Sequence, residues 1–377
     1  MILLMLLQLL SAEILSPAER KRISTAAEEA LRAEPKTIVA YHAPRSAGGS
    51  HDYFSEGDYW WPDPDQPDGP FIKKDGLTNP GNFNDHRIAL IRFSQQASTL
   101  TAAFRMTGDH RFARHALRHL RAWFADTSTA MSPHLLYAQA IKGRVTGRGI
   151  GIIGTIHLIE VARAVYVLER DGGITHEEAV PLISWFSRYL RWLTTHPYGL
   201  QERDEKNNHG TWWVAQVAAF ASLTGDAAVL DSCRWRFRTI LLPGQLSSDG
   251  RFPLELARTK PYNYALFNLE GMAVICRILS TPHDDLWTFT LPDGRTIRRA
   301  FQYMAPFVID KSRWPFPPDV MNFEMFPARQ MAWLFAFDAY DDDHYIDVWH
   351  TLVPNQMRAE IARTFPIREP LLWTTLP

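Results

Sequence analysis

Lys206-Asn207-Asn208-His209-Gly210-Thr211-Trp212-Trp213 puts two amides, an imidazole and two indoles at what reads as a helix start. Downstream, Arg258-Thr259-Lys260-Pro261-Tyr262-Asn263-Tyr264 adds a guanidinium and two phenols, Tyr264 following His209 by 55 residues. Asn, His, Arg and Tyr are the side chains needed to pull a weakly acidic proton from a carbon beside a carboxylate. Asn208 and Arg258 would hold the carboxylate, while Tyr264 and His209 move protons. A free phenol titrates at about 10, so a phenolate base at neutral pH needs a cationic neighbour, which Arg258 can supply. His209 can take or share the phenolic proton, and Tyr262 competes with Tyr264 for the same part.

Each residue also has a plainer reading. Asn207 or Asn208 caps a helix beginning near Gly210, with His209 merely bonded in the first turn. Arg258 pairs with Glu255, and Tyr264 packs in the core. The two segments taken together, with Trp212 and Trp213 adjacent, favour the chemical reading. Trp60, Trp61, Trp212 and Trp213 are candidates to stack on sugar rings, although at least one of the last two should point into the core. Arg148, in a Gly-rich turn, is a candidate for a second carboxylate and equally a solvated loop arginine. Asn207 and Tyr262 join the expected binding residues.

The elements that must position these groups are helical. Apolar residues recur at three and four in Ile88-Ala89-Ile91-Phe93 and Ala113-Leu117-Leu120-Trp123-Phe124. The same period predicts helices over 150–168, 177–193, 212–223, 229–241, 265–279 and 328–337, with one short hairpin around Pro292-Asp293-Gly294. Phe104-Arg105-Met106-Thr107-Gly108-Asp109 and Ala221-Ser222-Leu223-Thr224-Gly225-Asp226 form an internal repeat. In each, Gly ends one helix and Asp caps the next; Arg170-Asp171-Gly172 and Tyr340-Asp341-Asp342 are candidates for the same job. Successive hairpins of this kind predict an all-α fold, an α/α toroid, with a helical solenoid as the alternative. The stretch 43–85 is turn-rich yet aromatic, which predicts an ordered loop packed over one mouth of the ring.

Composition narrows the classes. The chain has 377 residues, a net charge of -1 and no basic block, which argues against a nucleic-acid partner. Residues 1–12 are apolar apart from Gln8 and Ser11, too short to span a bilayer and suited to a signal peptide, so export to the periplasm or medium is expected without membrane insertion. Residues 13–377 would form one catalytic domain. Cys233 and Cys276 read as buried thiols. His115 and His119 have helical spacing but lie among Arg114, Arg118 and Arg121, which predicts a solvated basic face and no metal site.

Asn207 to Trp213, Phe252 to Arg258 and Tyr264-Ala265-Leu266-Phe267-Asn268-Leu269-Glu270 resemble the alginate lyase domain superfamily, comprising polysaccharide lyase family 5 and its relatives in family 38. Leu135 to Ala140, Thr146 to Gly151 and the Gly48 to Gly69 loop resemble the family 38-like branch, and the likeness spans roughly Ser46 to Phe337. The resemblance implies an α/α toroid and cofactor-free, metal-independent β-elimination on an acidic polysaccharide. It would make Asn208 the carboxylate neutraliser, His209 and Tyr264 the acid/base pair, and Arg258 the support of carboxylate and phenolate. The Arg-to-Tyr spacing is six here and one longer in family 5. The rivals are a glycoside hydrolase on the same toroid, with carboxylates drawn from Glu56, Asp58, Glu202, Asp204 and Glu205, and a non-catalytic carbohydrate-binding protein.

Overall fold

The repeated Gly-Asp signal sets the architecture. In the computed structural model, which describes residues 16–352 and 358–374, Gly108 closes one helix at φ 71° and Asp109 caps the next by accepting from the Arg111 N–H at 2.9 Å. Gly225 does the same at φ 72°, and Asp226 accepts from the Val229 N–H at 3.1 Å. Such positive φ values are where a residue without a Cβ is favoured. At Tyr340-Asp341-Asp342 the turn residue is Asp341 itself, at φ 49°, and Asp342 caps. Arg170-Asp171-Gly172 departs from the expectation. Thr175 caps the following helix in a capping box with Glu178, and Asp171 instead pairs with Arg105 and Arg170. The expected signal segment, 1–12, lies outside the described residues.

The helices used below are α1 (Pro17–Ala30), α2 (Asp85–Thr107), α3 (His110–Phe124), α4 (Leu158–Arg170), α5 (His176–Thr195), α6 (Pro197–Arg203), α7 (Asn208–Thr224), α8 (Ala227–Arg236), α9 (Pro261–Leu279), α10 (Ile297–Ile309), α11 (Met331–Tyr340), α12 (Asp343–Thr351) and α13 (Ala359–Thr364). Inner helices α2, α4, α7, α9 and α11 pack in succession, each against the next; α3, α5, α8 and α12 lie outside them as an α/α toroid. The inner position of α7 and α9 follows from composition, because both are apolar on all sides and buried nearly throughout. Gly271 lets them approach: a Cβ there would stand 2.9 Å from Thr211 Cγ2. Among the described residues no single helix is long and apolar enough to cross a membrane. Cys233 and Cys276 are buried free thiols.

Two local expectations need correction. No strands flank Pro292-Asp293-Gly294. Leu291 and Arg295 close a single turn, while Trp287 and Leu291 bury their side chains against the helices instead of pairing across a hairpin. His115 and His119 do not lie on a solvated face. Both are buried with their rings 5.0 Å apart, while Arg114 and Arg118 turn outward to Glu178 and Glu34. Burial first, and then the neighbouring His115, push His119 down to about 4. Between that value and the ordinary one near 6.5 the unfolded chain binds the extra proton and the folded chain does not. Stability is therefore intact above about pH 6.5 and falls as pH drops toward about 4, by on the order of 3 kcal/mol. Urea unfolding midpoints at pH 7 and 4.5 should show this loss, and H119L should flatten it; an unchanged acid slope in H119L removes His119 as its origin.

The aromatic loop is ordered, as predicted. Strand β1 (Phe54–Glu56) pairs parallel with β4 (Tyr137–Ala140), and β2 (Trp60–Trp61) pairs antiparallel with β3 (Ile72–Lys73). Between them Asp58 accepts two hydrogen bonds from Arg87 of α2, at 2.7 and 2.8 Å, which fastens the loop to the ring.

Candidate active site

Under this loop lies a cleft of about 490 Å³, walled by the starts of α7 and α9, the loop and the segment around Arg148. Asn207, Asn208, His209, Arg258 and Tyr264 all line it, so residues far apart in the chain meet in one place. Lys73, Arg87, Arg148, Arg258 and Arg363 face Asp58, Asp75 and Glu205, five cations against three carboxylates. Such a wall favours an anionic ligand.

The Asn-His side is built by the start of α7. Asn207 caps the helix, accepting from the His209 N–H at 3.1 Å. The chain there runs so close to the preceding turn that a Cβ on Gly210 would stand 2.2 Å from the Glu205 carbonyl oxygen. Asn208 is tied to the second motif: its backbone N–H and its side-chain Nδ2 donate to the two oxygens of Glu255, at 2.6 and 2.7 Å. An amide nitrogen has a second proton, which remains for a ligand. His209 Nδ1 donates to Glu202 Oε1 at 2.8 Å, leaving Nε2 for the cleft. Burial opposes charge on His209, but the adjacent Glu202 carboxylate outweighs it and holds the imidazole above its ordinary value. Burial likewise raises Glu202, with His209 and its hydrogen bond working against the rise.

The Arg-Tyr side is built by the start of α9, whose first amides are capped from a distance. Asp319 accepts from the N–H groups of Tyr262 and Asn263 at 2.9 and 3.0 Å. The Tyr264 hydroxyl lies 2.7 Å from that of Tyr59 on the loop and accepts from Arg258 Nη2 at 3.3 Å. The Arg258 guanidinium also covers the Tyr264 ring, 4.4 Å from its centre. It is held there by Asp75 at 3.1 Å, which also accepts from the Thr259 hydroxyl at 3.0 Å. Glu255 is therefore not the partner of Arg258. Burial raises Tyr264 well above the ordinary phenol value, Tyr59 adds to this, and Arg258 and Arg363 work against it. The resting phenol is neutral and holds its proton, and it stands beside the cations that would support it after losing one.

Other expected residues divide. Arg148 lines the cleft, donating to Gln139 through its backbone carbonyl at 3.0 Å and its side chain at 2.8 Å, and no described carboxylate forms an ion pair with it. Burial pulls its guanidinium down to about 10. Trp60 lines the cleft beneath Arg148, whose guanidinium lies 5.7 Å from a ring centre. Trp61 stays outside the wall, its indole donating to the Leu77 carbonyl at 2.9 Å. Trp212 is in the core, stacked on Phe267 at 4.9 Å, and Trp213 is buried too, because α7 is an inner helix with no free face. Tyr262 points away from the cleft, packs on Trp314 and Phe323, and donates to the Phe307 carbonyl at 2.9 Å. Neither Trp212 nor Tyr262 can touch a ligand in the cleft.

Sequence reasoning missed Tyr59, Asp75, Glu202 as a partner of His209, and Arg363. Tyr59 stood next to Trp60 in the aromatic loop, the one signal available. In the sequence Glu202 reads only as a hydrolase carboxylate. Among the hydrolase candidates, Glu56 pairs with Arg45, Asp204 with Arg203, and Glu202 is buried behind His209. Asp58 is buried, yet Arg87 and Arg363 hold it below the usual carboxylate range, and Asp75 is lowered by Arg258 in the same way. Neither suits a general acid, which needs its proton at neutral pH. Among the described residues no group of three or more His, Cys, Asp or Glu is arranged to hold a metal ion.

The family model for alginate lyase matches residues 38–314. A crystal structure of an alginate lyase from Bacteroides ovatus is 31% identical and superimposes with a TM-score of 0.82, over 100% of this chain and 97% of that one. A variant of alginate lyase A1-III complexed with a tetrasaccharide shares the fold at 14% identity and a TM-score of 0.57, covering 95% of this chain and 94% of its own. No curated protein sequence matches. With its motifs meeting in one cleft and its matched region spanning most of its length, the chain belongs to the alginate lyase family and is a polysaccharide lyase.

Proposed function

We propose that the protein is an exported lyase that cleaves a uronate polymer, mannuronate in alginate or glucuronan, by β-elimination with Tyr264 and His209 as the acid/base pair. The observation that carries this reading is the Arg258–Tyr264–Tyr59 cluster facing the same cleft as the Glu202–His209 pair. Asn208 and Arg258 hold the C5 carboxylate and lower the cost of carbanion character at C5. His209 Nε2 accepts the phenolic proton, and the Tyr264 phenolate, beside Arg258, takes the C5 proton. The C5–H electrons form the C4=C5 double bond, the C4–O4 bond breaks, and Tyr264 returns the proton to O4. In mannuronate and glucuronate the C5 proton and O4 lie on the same side, so one phenol serves both steps. The two sugars differ at C2, which these groups need not touch. Guluronate requires opposite faces, with His209 and Tyr264 dividing the work. Arg148 and Trp60, both on the cleft wall, would meet the carboxylate and ring of a neighbouring sugar.

The test is ultraviolet absorbance of the C4=C5 product, with chelator present, on polymannuronate, polyguluronate, glucuronan and a neutral glucan. Absorbance should rise on polymannuronate or glucuronan and stay flat on the glucan. New reducing ends without absorbance would mean hydrolysis, and neither signal on any polyuronate would leave a binding protein.

A further inference from the structure

The inner helices have two ends, and the catalytic groups use only one. At the far ends of α7 and α9, against the first half of α4, lies a second pocket of about 310 Å³, lined by Arg163, Tyr166, Ser222, Arg277, Ser280 and Trp373 among others. Along α7 the rise from His209 to Ser222 separates the pocket from the catalytic groups by about 20 Å. Three arginines grip the final described segment here. Arg105 donates to the Thr374 carbonyl at 2.7 Å, Arg163 to Leu372 at 2.6 Å and Arg277 to Trp373 at 3.1 Å.

Their charges do not balance. Arg105 and the nearby Arg170 share Asp171, and Arg277 pairs with Asp338, but no described carboxylate pairs with Arg163. Only Arg163 Nε is used on the backbone, so the other guanidinium donors remain. Burial, then Arg170, Arg277 and Arg105, pull Arg163 down to about 10. A half-buried cation among like charges is costly unless an anion completes it. Beside it the Tyr166 ring, 4.9 Å from the Arg163 guanidinium and 39% exposed, offers an aromatic face, and Ser222 offers a hydroxyl at the rim. The volume sits at the small end of ligand pockets, about 300 Å³ and upward, the size for a single sugar unit.

We propose that this pocket is a second, non-catalytic site for a carboxylate-bearing sugar unit, Arg163 meeting the carboxylate and Tyr166 lying against the ring. The proposal rests on the reading of the substrate as a uronate polymer. Such a site holds the polymer to the enzyme between cleavage events and raises the local concentration of chain at the cleft.

Calorimetric titration of Tyr264→Phe, which silences turnover, with saturated trimannuronate and triglucuronate should find two sites per chain for at least one of them. Adding Arg163→Gln should leave one, and so should Ser222→Tyr, which blocks the rim without disturbing the Leu372 contact and should keep the melting temperature unchanged. With Tyr264 intact, both variants should raise KM for long polymer by roughly tenfold, far below the ceiling for linked sites, and leave kcat and the KM for trimer unchanged. A single site for both trimers in the Tyr264→Phe parent, or a KM for long polymer untouched by Ser222→Tyr, overturns the proposal. Displacement of the second trimer by equimolar inorganic phosphate also overturns it, as a general anion site. An unmutated protein that forms no unsaturated product on any polyuronate fails the lyase reading instead, whereas an active enzyme with one site fails only this proposal.

Discussion

Tyr264→Phe should reduce turnover by about 10⁴-fold or to the detection limit, at the upper end of what a positioned acid/base group contributes. The substitution removes one oxygen. That oxygen is the acceptor for Arg258 and the partner of Tyr59, and in the proposed mechanism it carries the proton from C5 to O4. The ring remains, still covered by the Arg258 guanidinium, which Asp75 holds independently. Folding and substrate binding should therefore survive, so kcat falls while KM changes little, the pattern of an interaction made in the transition state. Absorbance kinetics alongside a thermal melt would test this. Rates like the wild type's would sink the assignment. Tyr262 offers no substitute, since its hydroxyl is committed to the Phe307 carbonyl in the core, and suspicion would pass to Tyr59.

His209→Ala should cost about 10²–10⁴-fold in kcat/KM, and its pH profile should identify the role. The proposed base is the neutral imidazole, whose Nε2 faces the cleft because Nδ1 is bonded to Glu202. Burial opposes the charged form, but Glu202 holds the imidazole above its ordinary value, so the proton stays on to a higher pH than in free histidine. Activity in the unmutated enzyme should accordingly fall on the acid side of an inflection above about pH 6.5. His209→Ala should lose that acid limb along with the rate. Glu202→Gln keeps an acceptor for Nδ1 but removes the charge, so it should move the inflection to lower pH while retaining more activity than His209→Ala. Full activity in His209→Ala removes this residue from the mechanism, and an unmoved acid limb there assigns the titration to another group.

Much of the fold was legible because its signals are local. The Gly-Asp turns at Gly108 and Gly225 are read from neighbouring residues, since a left-handed stop and a side-chain cap need nothing beyond the turn. The start of α7 at Asn207 was legible for the same reason. The misreadings share a different cause. His115 and His119 looked like part of a basic face because arginines flank them in the chain, yet on a helix the flanking positions point elsewhere. Around Pro292 the turn residues were read correctly, but whether the flanks pair depends on which side chains the helices bury.

By itself the sequence determined the helical hairpins, the ordered aromatic loop and the residue types of the proposed reaction: Asn208, His209, Arg258 and Tyr264. Only the tertiary structure decided their partners. Asp75 rather than Glu255 holds Arg258, Glu255 holds Asn208, Glu202 orients His209, and Tyr59 meets Tyr264. It also decided that Trp60 faces the cleft while Trp212 and Tyr262 do not. Periodicity reveals a buried face only where the opposite face is polar, and α7 and α9 are apolar all round, so no pattern along them marks the side that meets substrate. The ion pairs of the cleft join residues as far apart in the chain as Asp58 and Arg363, and their geometry exists only once the ring of helices has closed.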